Sequence, residues 1–110
     1  MSEDRTAQTR ALNDALRSTF EGGRVLVTSG VSALGTDAVA VALDRVRTFT
    51  DFTEENDPNG EHDFGTFEIG GNRFFFEIDY YDPTMHAGSE DPSDPANTTR
   101  VLTIMLASEY

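Results

Sequence analysis

Leu12, Leu16 and Phe20 recur at four-residue spacing, with Ala15 beside them, and make one apolar stripe. The spacing predicts a helix from about Thr6 to Phe20, with Arg10, Asn13, Asp14 and Arg17 on its other face. Gly22-Gly23 is expected to stop it, since glycine enters the left-handed cap conformation at little cost. Arg24 to Thr28 reads as a short strand, and its run Val25-Leu26-Val27 suits a strand covered on both faces. Ser29-Gly30 turns the chain. A second helix is expected from Thr36 or Asp37, with Val39, Ala42, Leu43 and Val46 on one face and Asp44, Arg45 and Arg47 outward. Phe49 and Phe52 bring the chain back to the core.

Phe64 to Gly70 and Arg73 to Tyr81 alternate apolar and polar positions and read as a hairpin. A two-residue loop at Gly71-Asn72 pairs Ile69 with Phe74 and Phe67 with Phe76, and puts Glu68, Phe75, Glu77 and Asp79 on the opposite face. A Gly-Gly loop one residue earlier is the competing solution, and it sets Arg73 opposite Glu68 and Phe67 opposite Phe74. Residues 82–98 form a long polar loop with Pro83, Pro92 and Pro95. Arg100 to Ala107 closes the chain as a central strand, apolar on both faces, with Arg100 expected as a buried ion-pair partner. The expected fold is α+β: a single domain over 1–110, with two helices on one face of a three- to four-stranded, mainly antiparallel sheet in the order α-β-α-β-β-β. Residues 1–5 are expected to be unstructured.

Charge changes the picture more than composition does. The formal net charge is −12, no lysine is present, and every basic residue other than histidine is arginine. Residues 1–50 carry six acids against six arginines, and Arg100 offsets Glu109. Residues 51–94 carry 13 acids and one arginine, Arg73, which is the whole excess. Such a field disfavours nucleic acid, anionic membranes and anionic substrates, and favours cations or a basic protein surface. The chain has no cysteine, which excludes disulfides, thiolate metal sites and a cysteine nucleophile. The apolar runs are too short to span a bilayer, and no secretory leader is visible, so a cytoplasmic location is the default expectation.

Two constellations could carry chemistry. Asp57, Asn59, Glu61, His62 and Asp63 surround Gly60 with oxygen and nitrogen ligands, and calcium or another divalent cation takes such donors. The spacing does not fit an EF-hand, and Asp57-Pro58-Asn59-Gly60 is also a strong turn signal. The second is an acidic face of Asp51, Glu54, Glu55, Glu68, Glu77, Asp79, Asp82, Glu90, Asp91 and Asp94, with Phe75 and Tyr81 as apolar anchors. His62 and His86 could serve a hydrolase, but no nucleophile stands out beside them and no phosphate-binding loop or zinc-protease motif is present.

The run Asn56-Asp57-Pro58-Asn59-Gly60-Glu61-His62-Asp63-Phe64-Gly65 resembles the motif of a bacterial family classified as a domain of unknown function. The likeness continues through Phe74-Phe75, Ile78-Asp79-Tyr80-Tyr81-Asp82 and the closing Thr99-Arg100-Val101-Leu102-Thr103-Ile104-Met105-Leu106-Ala107. The resemblance implies a small protein of bacterial genomes and plasmids, and brings no catalytic residue with it. A plasmid setting suits a role between mobile elements and host defence.

The expected function is therefore a non-enzymatic binding protein without cofactor. Its negative face would occlude a basic, nucleic-acid-binding protein partner, as a DNA mimic or anti-defence inhibitor does, with no direct contact to nucleic acid or membrane. The alternatives are a divalent-cation domain, hydrolytic or not, centred on Asp57 to Asp63, and an acidic domain whose charge only keeps it in solution.

Overall fold

The computed structural model of the protein describes residues 3–110. Helix α1 spans Glu3–Thr19, strand β1 Arg24–Val27, a one-turn helix α2 Ser29–Ser32, and helix α3 Thr36–Arg47. Strands β2 (Phe64–Ile69), β3 (Asn72–Tyr81) and β4 (Thr99–Leu106) follow, with short 3₁₀ turns at Pro95–Asn97 and Ala107–Glu109. The sheet has four strands in the order β1-β4-β3-β2. The class is α+β, but the sheet is mixed: β1 runs parallel to β4, while β4-β3 and β3-β2 are antiparallel. Of the residues expected to be unstructured, 1 and 2 lie outside the described residues, and 3–5 are in α1.

All three helices pack on one face of the sheet. Phe74, Phe76 and Ile78 of β3, with Leu102 and Ile104 of β4, form a cluster with Leu16, Val31, Ala42, Val46 and Phe49. Val39, Leu43 and Phe52 pack against its margin. Strand β4 is central and buried on both faces, as its sequence predicts. Strand β1 is not. It is an edge strand whose Leu26 is 51% exposed on the outer face, so its apolar run reflects strand propensity and one covered face.

The hairpin takes the competing register. Phe67 pairs with Phe74, Glu68 with Arg73 and Ile69 with Asn72, leaving Gly70-Gly71 as the loop. Both loop residues have positive φ, 58° and 86°, which two glycines supply without strain and which a two-residue hairpin turn requires. The two registers differ by two residues and send the same side chains inward, so alternation does not separate them. The turn decides, and an Arg73–Glu68 ion pair at 2.7 Å follows from it.

Helix α1 departs furthest from expectation. Asn13 is fully buried and Arg17 is 6% exposed, so two residues assigned to its outer side face the interior. Thr9, Asn13, Leu16 and Arg17 make the buried stripe. Leu12 is only half-buried and lies outside the core cluster. Gly22-Gly23 does not stop the helix either: Phe20 already has φ 62°, and its N–H reaches the Leu16 carbonyl at 2.7 Å. Arg17 donates to the Val46 and Phe49 carbonyls, both at 3.0 Å, at the C-terminal end of α3, where a cation is favoured. Its guanidinium also lies 5.0 Å from the Phe52 ring centre.

Asn13 ties together three parts of the chain. Its amide donates to the Glu61 carbonyl at 2.9 Å and to the Tyr80 hydroxyl at 2.8 Å, and its oxygen accepts from Arg100 Nε at 2.8 Å. Asn13→Ala leaves all three groups without this partner inside the fold. We expect it to lose about 3 kcal/mol in urea unfolding, against about 0.5 kcal/mol or less for Asn59→Ala on the exposed loop. Equal, small losses would mean that the amide is dispensable.

Candidate functional site

The motif from Asn56 to Gly65 is a latch between α1 and the hairpin. Asn56 caps its own turn, accepting from the Thr53 N–H and donating to the Asp51 carbonyl. Asp57 Oδ1 accepts the N–H groups of Glu61 and His62, both at 3.0 Å, and closes the loop around Gly60. The Gly60 carbonyl accepts from Arg10 at 2.8 Å, and Glu61 Oε1 accepts the Tyr80 hydroxyl at 2.8 Å. His62 sits at φ 58° with its ring flat against Phe52, 3.8 Å between centres. Its Nδ1 lies 2.9 Å from Asp14 and its Nε2 3.7 Å from Asp57. Gly65 has no room for a side chain, because a Cβ there would stand 2.4 Å from the Phe76 ring and 2.8 Å from Phe49.

These contacts direct the five candidate metal ligands to different tasks. Asp57 and Glu61 hold backbone and phenol, His62 faces Asp14, and Asn59 is exposed in the turn. Among the described residues, no three His, Asp or Glu side chains come together to hold a metal ion. Neither histidine has a hydroxyl nucleophile bonded to its ring among the described residues, and His86 reaches Asp82 only through its backbone N–H. Burial pushes the Tyr80 phenol far above its ordinary range. Arg100 is 2% exposed but is not an ion-pair partner among the described residues: it bonds to Asn13 and the Pro92 carbonyl and lies 5.3 Å from the Tyr80 ring centre.

The predicted acidic face divides into two populations. All four prolines follow an aspartate, at Asp57, Asp82, Asp91 and Asp94, and each of these carboxylates caps the turn that its proline starts. The Thr84 hydroxyl holds the Asp82 carboxyl below its ordinary range, and the Ser93 hydroxyl does the same for Asp91. The repeated Asp-Pro pair is the sequence signal that identifies these acids as turn-formers. Glu68 is spent on Arg73. Asp51, Glu54 and Glu55 lie exposed on the segment between α3 and β2, and Glu90 on the segment after β3. Phe75 is not covered by the 82–98 loop. It lies against Phe64 and Tyr110, with ring centres 5.2 and 5.1 Å away.

Glu77 and Asp79 are different. They point from β3 to the outer face, beside Thr103 and Val101, where no helix lies and where strand geometry sets them about 7 Å apart. Asp63, at the mouth of β2, stands close enough to both to interact. None of the three has a cation within ion-pair distance among the described residues. Burial raises the affinity of all three carboxyls for protons. Repulsion from Glu61, Asp57 and Asp79 adds to this at Asp63, and repulsion from Asp79 and Asp63 adds to it at Glu77.

The two populations act oppositely on stability. The folded-state pKa of Asp63, Glu77 and Asp79 lies above the unfolded value, so their charged forms oppose folding near neutrality, and that opposition fades as pH falls through the folded values. Asp82 and Asp91 have depressed values, so their contribution is present above the ordinary 3.8 and is lost as pH falls through the folded values. We expect the Tm to rise from pH 7 towards about pH 5 and to fall again below about pH 3.8. The Glu77→Gln/Asp79→Asn variant should be more stable than the parent at pH 7 and show a flatter rise. A variant that keeps the full rise would place its origin elsewhere.

No curated protein and no solved structure matches the chain. The family model described as a protein of unknown function, DUF3768, matches residues 27–109, which leaves α1 and most of β1 outside the matched stretch. The chain belongs to that family of proteins of unknown function, DUF3768.

Proposed function

We propose that this is a non-enzymatic binding protein whose acidic surface occludes a basic, nucleic-acid-binding protein partner, in the manner of a DNA mimic or anti-defence inhibitor. The observation that carries the reading is the set Asp63, Glu77 and Asp79 at and beside the open sheet face. It holds three mutually close carboxylates with raised proton affinity and no cationic neighbour in ion-pair reach among the described residues. A fold that keeps negative charge crowded in this way is relieved by a partner's arginine or lysine side chains. Phe64, Phe75 and Tyr110 form an aromatic group beside Glu77 on the same face, and Tyr81 continues the face along β3. Such rings serve as anchors in protein interfaces. Asp82, Asp91 and Asp94 are spent on turns but keep their charge, so they add long-range attraction without being contact residues.

The test uses basic DNA-binding proteins, each bound to a fluorescent duplex and followed by anisotropy. Excess protein should release the duplex from a true partner, and the release should weaken steeply between about 50 and 200 mM sodium chloride. The Asp63→Asn/Glu77→Gln/Asp79→Asn variant should lose it. If the variant releases the duplex as well as the parent, or if every basic protein tried keeps its DNA, the reading fails.

A further inference from the structure

A second feature lies away from the open sheet face. The N-terminal half of α1 is bracketed by the two acidic segments: Arg10 holds the Gly60 carbonyl, and Gln8 holds that of Ser93 at 3.0 Å. Between them is a cavity of about 190 Å³ lined by Thr9 of α1, Glu61 from one segment, Glu90 and Asp91 from the other, and Arg5. Three carboxylates against one guanidinium leave it with two net negative charges. Two of the carboxylates are anchored through one oxygen each, Glu61 to the Tyr80 hydroxyl and Asp91 to the Ser93 N–H and hydroxyl. The site is therefore preorganised before any ligand arrives.

Thr9 points independently to a ligand. It is only 4% exposed, yet its hydroxyl makes no hydrogen bond to the protein. Arg17 Nε is the one fully enclosed side-chain nitrogen or oxygen without a partner among the described residues. The Thr9 oxygen therefore keeps some accessibility, and the cavity that it lines is where that accessibility lies. A buried hydroxyl beside carboxylates is an acceptor that lacks a donor.

We propose that this cavity binds the guanidinium or primary ammonium head of an alkyl cation. Such a head brings several N–H donors and one positive charge to an acceptor set that lacks both. No three of the acids converge tightly enough for a bare metal ion among the described residues, whereas a guanidinium spreads its donors over a wider span. The site is independent of the sheet-face reading and stands or falls separately from it.

The probe is methylguanidine, followed by amide chemical shifts at constant ionic strength, with potassium chloride as the control salt. Saturable shifts are expected at residues 6–9, 61 and 90–91. Thr9→Val, which keeps the shape, and Glu90→Gln, at an exposed position, should each weaken binding about five- to tenfold. Asp79→Asn should leave it unchanged, which separates this site from the sheet face. The N-acetyl amide of arginine distinguishes the source of the head group: binding as tight as methylguanidine assigns it to a protein side chain, and exclusion of this larger probe assigns it to a free small molecule. Shifts of equal size with potassium chloride, or shifts indifferent to both Thr9→Val and Glu90→Gln, would overturn the proposal.

Discussion

The fold depends on a wholly buried amide. Asn13 sits on α1 with no solvent contact, and an amide in that position is tolerated only when its hydrogen bonds are made inside the protein. Its partners come from three places distant in sequence: the carbonyl of Glu61, the hydroxyl of Tyr80 and the guanidinium of Arg100. Meeting that demand fixes the residue 50–63 segment against α1, sets the end of β3 and brings the start of β4 beneath the helix. Arg17 makes the same demand one turn later, and the carbonyls at the end of α3 meet it. The interior is thus polar towards the acidic end of the sheet and aromatic towards the middle, where Phe74 and Phe76 pack.

That arrangement accounts for the motif without a metal. Asp57, Glu61 and His62 have the spacing of a cation-binding loop, but each has a partner that the folded chain supplies. A carboxylate that accepts two N–H groups two residues after Thr53-Glu54-Glu55 makes the turn rigid, and a rigid turn presents the Glu61 carbonyl to Asn13. Gly65 follows because the phenylalanines of the core close over it.

The negative charge is organised by the same logic. The Asp-Pro turns immobilise carboxylates locally and lower their proton affinity where hydroxyls reach them. Glu77 and Asp79 receive nothing comparable, because a strand sends alternate side chains outward and the outward neighbours here are Val101 and Thr103. Charge that is structural and charge that is available to a partner therefore occupy different elements, although they come from one stretch of sequence. Glu109 belongs to the first kind, since its carboxylate holds Thr28 and the Gly30 N–H at the start of α2.

Local pattern determined a good deal. The helices, the hairpin, the buried β4 strand and the concentration of acid between residues 51 and 94 follow from periodicity and composition, because each is a property of neighbours in the chain. What only the tertiary structure decided involves partners far apart. The direction of β1 depends on β4, more than 70 residues later. The rotation of α1 went against its leucine stripe because Asn13 and Arg17 find partners in segments that no helical pattern reveals. The hairpin register differed by two residues, a shift to which alternation is blind. The identity of the unpaired carboxylates depends on which acids meet a hydroxyl, an N–H or an arginine once the chain has folded, and spacing along the sequence carries no record of that.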